Sequence, residues 1–258
     1  MTRHDTVWQQ PDLVQTFVNE VRGGVPYAAD QLAMMVRVIA ASGRPVRAIA
    51  DLGCGSGVTA RAILAQHSDA QAVLIDFSEP MLAAARLALA DHRPAPIFAV
   101  ADLADAGWTA AVREQVPFDV IASSYAIHHL SDARKRALYA EIFALLAPGG
   151  VFVNVEHVAS ATPRVETLSD ALMIDSIHAY QRGKGADLSR EQVARDFVHR
   201  PDKAANILAP VEDQCAWLRA IGFRDVDCFF KVFELAVFGG WRPEGSEGPR
   251  VQGSRTLT

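Results

Sequence analysis

Residues Ala48 to Ala65 read AIADLGCGSGVTARAILA, and this stretch decides the fold. A short apolar run, Ala48-Ile49-Ala50, leads to Asp51, and glycines follow at Gly53, Gly55 and Gly57. Beyond them Val58, Ala62, Ile63 and Ala65 recur at a spacing that buries one face of a helix. Strand, glycine turn and helix is the order of a nucleotide-binding βα unit. Glycine accepts positive φ in a tight turn and lets a ligand lie against bare backbone. The first N–H groups of the following helix lack partners within the helix and face that ligand. The spacing is GxGxG. A dinucleotide fingerprint would need glycine or alanine where Val58 stands.

Downstream, the same arrangement repeats. Val73, Leu74 and Ile75 form a buried strand ending in Asp76, and Ser78 caps a helix with Glu79 and Pro80 in its first turn. Ile97, Phe98 and Val100 make a third strand, closed by Asp102. Asp119 to Ala122 is the fourth, followed by SSYAIHHL and a helix over 131–147 capped by Ser131 or Asp132. Pro148, Gly149 and Gly150 end that helix and launch VFVNVEHV, the fifth strand, which ends in Glu156 and His157. Ligands of such sheets bind beyond the carboxyl ends of the strands. A carboxylate at Asp76 offers paired acceptors to the hydroxyls of a ribose, with Phe77 beside the base.

DLGCGSG, the strand-end acids and the APGG turn together resemble the motifs of class I S-adenosylmethionine (SAM) dependent methyltransferases. The resemblance runs over residues 46 to 159 by motif and 210 to 240 by layout. It implies an α/β fold: a doubly wound, Rossmann-like, mostly parallel sheet of seven strands with one antiparallel strand. An N-terminal helical lid (1–45) precedes the SAM-binding domain (46–240), which carries a helical insert at about 160–205. A flexible tail (241–258) follows. By the same resemblance Asp51, Gly53, Cys54, Gly55 and Gly57 cradle the methionine end of SAM. Asp76 and Phe77 take the ribose and the adenine face, Asp102 the adenine amino group, and Leu103 covers the ring. Ser123, Ser124 and Tyr125 line the cleft near the sulfonium.

Three residues are candidates for acid–base catalysis: His128 on the fourth-strand loop, and Glu156 with His157 on the fifth strand. For His128 a pocket wall is the alternative to a base. Glu156 and His157 are adjacent on a strand, so their side chains point to opposite faces. No carboxylate lies at ligand spacing from His128 and His129, and Cys54, Cys215 and Cys228 include no CxxC pair, so no metal site is expected. Tyr27 and Gln31, near the break VRGGVPYAAD, either face the cofactor and substrate or pack under the second helix. In the insert, His178, Tyr180, Arg182, Arg195, His199 and Arg200 supply groups suited to an acidic substrate, most of them as surface charges.

The net charge of −5 over 258 residues argues against a broad grip on nucleic acid, and no NPPY-type motif is present. The first residues, MTRHDTVWQQ, lack a signal-peptide layout, and no apolar run can span a bilayer. The expectation is a cytoplasmic enzyme, monomeric or homodimeric, that methylates a small molecule. Two other readings stay open. The ending LRAIGF…FFKVFELAVFGG is similar to carboxy-SAM synthase, whose new carboxylate would need a cation such as Arg195 or Arg200. Set against this are the GCGSG loop and an insert that does not align cleanly. The other is a non-catalytic SAM-binding protein.

Overall fold

The computed structural model describes residues 5–10, 22–199, 203 and 205–245. Residues 1–4 and 11–21 of the expected N-terminal lid lie outside the described residues.

Seven strands form one sheet in the order β3-β2-β1-β4-β5-β7-β6. They are β1 (Ala48–Leu52), β2 (Gln71–Asp76), β3 (Ile97–Val100), β4 (Phe118–Ser124), β5 (Leu146–His157), β6 (Arg224–Val232) and β7 (Leu235–Trp241). β1 to β5 are parallel, while β7 runs antiparallel to both β5 and β6. The order reverses between β1 and β4, which opens a crevice at their carboxyl ends. Helices α1 (Ala28–Ala40), α2 (Val58–Leu64) and α3 (Glu79–Ala88) cover one face of the sheet, where Met35, Ile39, Ile63 and Leu82 are buried. Helices α4 (Asp132–Leu145) and α7 (Val211–Ile221) cover the other, around Tyr139, Phe152, Leu218 and Phe223. Between β5 and α7 the insert forms α5 (Pro163–Gly183) and α6 (Arg190–His199).

Local chemistry sets the boundaries. The Ser78 hydroxyl accepts from the Met81 N–H and starts α3, and the Ser131 hydroxyl does the same for α4 through the Arg134 N–H. Several expected bounds shift. α4 stops at Leu145 because Leu146 already pairs with Phe118, and Ala147–Gly150 loop out of β5 before pairing resumes at Val151. The residues around Trp108 form a 3-10 turn over Ala106–Val112, in which the buried indole N–H donates to Glu141 Oε2 at 2.6 Å. Trp241, assigned to the tail, ends β7, and Arg242 beyond it is buried. The Arg242 guanidinium donates to the carbonyls of Phe143 (3.2 Å), Ala144 (3.3 Å) and Leu146 (2.5 Å), the open C-terminal carbonyls of α4. That cation holds the chain in the fold past the point where composition suggests a tail.

Candidate active site

A cavity of about 540 Å³ opens at the carboxyl ends of the strands and runs from the glycine loop to the insert. Its size is that of a small-molecule site. Gly53, Gly55, Asp76, Phe77, Asp102 and Leu103 form one wall. Gly53 adopts φ 63°, and a Cβ there would lie 2.2 Å from the Cβ of Ala126. Only glycine fits, because both the conformation and the approach of the β4 loop exclude a side chain. Asp76 sets the loop: its Oδ2 accepts from the Gly55 N–H and its Oδ1 from the Ser78 N–H, each at 2.8 Å. Burial pushes this carboxyl above its ordinary range, against the backbone N–H groups of Ser78, Gly55 and Phe77 that pull it down. Asp102 Oδ1 accepts from the Ala104 N–H at 2.9 Å, which turns the chain after β3.

Four residues expected at the cofactor do not line the cavity. Asp51 is 1% exposed and its Oδ2 accepts from the Ala60 N–H at 3.0 Å, so it ties the end of β1 to the first turn of α2. Cys54 is buried in the core against α2 and α3. Gly57, at φ 77°, faces Ala85 and Leu89 of the α3 region. The Ser123 hydroxyl is spent on the Leu52 carbonyl at 2.8 Å, which stitches β4 to β1.

On the opposite wall the acid–base candidates pair differently from their order in sequence. Glu156 and His157 do point to opposite faces of β5. Glu156 turns beneath the β4 loop, where its Oε1 lies 2.6 Å from His128 Nδ1. The same oxygen accepts from the His157 N–H at 2.9 Å, and Oε2 accepts from the Asn154 amide at 3.2 Å. Burial pushes Glu156 up, opposed by these donors and by the neighbouring imidazoles. His157 faces the cavity, with its Nε2 2.9 Å from Glu234 Oε2 in the β6–β7 turn. His128 and His157 both line the cavity, their ring centroids 5.8 Å apart and edge-on. Among the described residues no group of three or more His, Cys, Asp or Glu is placed to hold a metal ion.

Comparison with known proteins bears on the first half of this arrangement. Residues 49–150, from β1 to the end of the APGG turn, match the family model described as a methyltransferase domain. Over these residues the chain carries a methyltransferase domain. It is 24% identical over 230 residues to a carboxy-S-adenosyl-L-methionine synthase of Campylobacter fetus, covering 88% of this chain and 90% of that protein. This match extends through the insert. A trans-aconitate 2-methyltransferase of Delftia acidovorans is 36% identical over 105 residues, 41% of this chain and 36% of that one. The methyltransferase fold is also that of an O-methyltransferase family protein from Burkholderia thailandensis (TM-score 0.62, 17% identity), covering 95% of this chain and 64% of that chain.

SAM is the cofactor of this methyltransferase domain, and the cavity wall fits it. Two carboxylates beside an open glycine loop suit a diol and an amino group, and a pyrophosphate would meet repulsion there. Much of the rest of the cavity belongs to elements outside the matched segment. Trp8, in a 3-10 turn over Asp5–Gln9, closes it on the side of α3, and its carbonyl accepts from the Ser78 hydroxyl at 2.6 Å. Gln31, fully buried in α1, lines it and accepts from the Tyr125 hydroxyl at 2.6 Å. Tyr27 stands outside, half exposed against Phe230. From the insert come Ser169, Asp170, Met173, Tyr180 and Phe197. Of the cationic groups anticipated there, the His178 ring bonds the Leu188 carbonyl and Arg182 and Arg195 are exposed away from the cavity. The His199 side chain and Arg200 lie outside the described residues. No lysine or arginine lines the cavity among the described residues. Glu234 was missed because an acid between FKVF and LAVF reads as a solvated turn residue. Its 5% exposure shows otherwise.

Proposed function

We propose that this chain transfers the methyl group of SAM to a nucleophilic atom of a small molecule, with His128 as the general base. The observation that carries the proposal is the buried 2.6 Å pair of His128 and Glu156 at the rim of the cavity that holds Asp76 and Asp102 on its far wall. When bound, SAM supplies an electrophilic methyl group on a positively charged sulfur.

The chain's own residues do the rest. Asp76 would hold the ribose hydroxyls, Phe77 and Leu103 the adenine faces, and Asp102 the adenine amino group. An ionised Glu156 keeps the proton of His128 on Nδ1, which leaves the Nε2 lone pair to take the proton given up by the acceptor atom. The imidazolium so formed is stabilised by the same carboxylate. Trp8, the insert and the β6–β7 turn exclude water and align the acceptor, and alignment of two reactants is worth on the order of 7–11 kcal/mol in favourable cases. A net charge of −5 and a cavity of about 540 Å³ support a small molecule over nucleic acid. A cytoplasmic location and a monomer or homodimer belong to the same proposal; no helix among the described residues is long and apolar enough to cross a membrane.

The carboxy-SAM synthase match, spanning 90% of that protein, favours one second reading, in which SAM itself is the molecule modified. Native mass spectrometry of the purified chain separates the two. Bound SAM or S-adenosylhomocysteine, with methyl transfer to acceptors that is slowed by His128→Ala, supports methyl transfer. A bound species heavier than SAM by a carboxyl group supports the second reading, and a chain that ignores added SAM refutes both.

A further inference from the structure

His157 and Glu234 have no part in the proton transfer proposed above, yet they form a bonded pair on the cavity wall. Glu234 sits in the β6–β7 turn, almost fully buried, and lines the cavity. Its Oε2 meets His157 Nε2 at 2.9 Å, while its carbonyl accepts from the Val158 N–H at 2.8 Å. Burial raises this carboxyl, but the hydrogen bond from His157, first among the opposing groups, brings it below its ordinary range. An ionised Glu234 can only accept, so Nε2 of His157 carries the proton and Nδ1 presents a lone pair. Nδ1 makes no hydrogen bond with any described residue.

We infer that His157 is a second substrate-binding residue, so that the methyl acceptor is a planar apolar molecule with two adjacent hydrogen-bond donors, one facing His128 and one facing His157. The inference rests on the methyltransferase reading above. Both histidines line the cavity with centroids 5.8 Å apart, close enough for neighbouring atoms of one molecule to reach both. Each is held by its own buried carboxylate, and the two pairs are joined because Glu156 also accepts from the His157 N–H. The walls around them are apolar and aromatic: Trp8, Met173, Tyr180, Phe197 and Leu235. Such walls take a flat ring and leave its polar atoms to the histidines. The donor at His128 loses its proton and becomes the attacking atom. The donor at His157 keeps its proton and fixes the orientation, which selects one of two neighbouring groups for methylation. The other charged group on this side, Asp170 on α5, lies 3.4 Å from Lys203 and is engaged there.

The test is calorimetry on the full chain, first with S-adenosylhomocysteine and then, at saturating S-adenosylhomocysteine, with catechol and with phenol as probes. Catechol has the second donor and phenol lacks it. Catechol is expected to bind about tenfold more tightly, the worth of one hydrogen bond in a closed site. His157→Phe should bring catechol to the level of phenol and leave phenol and S-adenosylhomocysteine unchanged. Glu234→Gln, whose amide oxygen can still accept from Nε2, should keep most of the preference, and Glu234→Leu should lose it. Equal binding of the two probes, no binding of either, or a preference that survives His157→Phe overturns the inference and leaves the methyltransferase reading intact. Failure to bind S-adenosylhomocysteine overturns both.

Discussion

Glu156→Gln is the sharpest probe of the base, because the surrounding backbone dictates how the new side chain must sit. Oε1 of Glu156 accepts from His128 Nδ1 at 2.6 Å and from the His157 N–H at 2.9 Å. A backbone N–H can only donate, so the glutamine must place its oxygen there and its amide nitrogen toward Asn154, whose own amide then turns over. The Nδ1–H form of His128 therefore survives, and only the charge is lost. A hydrogen bond to a charged partner contributes ~1.5–3 kcal/mol and one to a neutral partner ~0.5–1.5 kcal/mol, so the imidazolium loses about 1–2 kcal/mol. At 1.36 kcal/mol per tenfold, kcat should fall roughly 5- to 30-fold while S-adenosylhomocysteine affinity holds. Glu156→Leu removes the acceptor altogether, strands three donors and frees the other tautomer, and its loss should exceed about a hundredfold. Transfer of labelled methyl from SAM measures the rates, and imidazole nitrogen shifts report the tautomer without any acceptor. An Nε2-protonated His128 in the parent chain, or full turnover in Glu156→Leu, would refute the reasoning.

Other perturbations test the rest of the site. Asp76→Ala removes the acceptor of two backbone N–H groups and of the ribose; with ~1.5 kcal/mol for each of two charged hydrogen bonds, calorimetry should show S-adenosylhomocysteine binding weakened about a hundredfold. Unchanged affinity sinks the ribose assignment. Gly53→Ala meets Ala126 at 2.2 Å in a left-handed conformation, so thermal unfolding should show a loss of roughly 1–3 kcal/mol along with weaker cofactor binding. Arg242→Met leaves the C-terminal carbonyls of α4 without their cation, and denaturant unfolding should fall by about 2–4 kcal/mol, with cofactor affinity unaffected. Asp76 and Glu156 are both raised by burial, so the folded chain keeps protons that the unfolded chain has released. Their contribution to stability is full at or below the ordinary carboxylate range and is lost as pH rises through the folded values. Ribose hydroxyls donate to an ionised Asp76, so stabilisation by S-adenosylhomocysteine should grow across that same window, as a pH series of melting curves would show.

What could be read from sequence was what strand geometry dictates. Asp76 and Asp102 lie on the cavity wall because the first ends β2 and the second lies two residues beyond β3, and apolar runs before them mark the strand ends. Asp51 ends a strand too, but the glycine turn after it brings the α2 N-terminus within reach, and its carboxylate goes there. Ser123 sits one position before the cavity residue Ser124 in β4, and alternation turns its side chain away, while Cys54, in the turn between Gly53 and Gly55, is buried in the core. The pairing of His128 with Glu156 joins two strands, and nothing local in either segment announces it. Glu234 and Arg242 were hidden for a common reason. Each is a charged residue in a polar-looking context whose partner, His157 or the end of α4, is remote in sequence.

The return of the insert to the domain restricts how this protein could be re-engineered. The Ile207 N–H donates to the His128 carbonyl at 2.8 Å, the Ala205 carbonyl lies 3.2 Å from His129 Nδ1, and buried Lys135 bonds the Ile207 carbonyl. Two residues on, the Ala209 carbonyl accepts from the Ala159 N–H at 3.0 Å and from the Gln214 amide at 3.1 Å. Residues 205–209 thus serve as the floor beneath the base, although they arrive with the helices that shape the acceptor end. A graft that swaps α5 and α6 for those of a relative should splice after Ala159 and before Ala205. Moving the downstream junction to Pro210 would exchange specificity and dismantle the support of His128 in the same stroke.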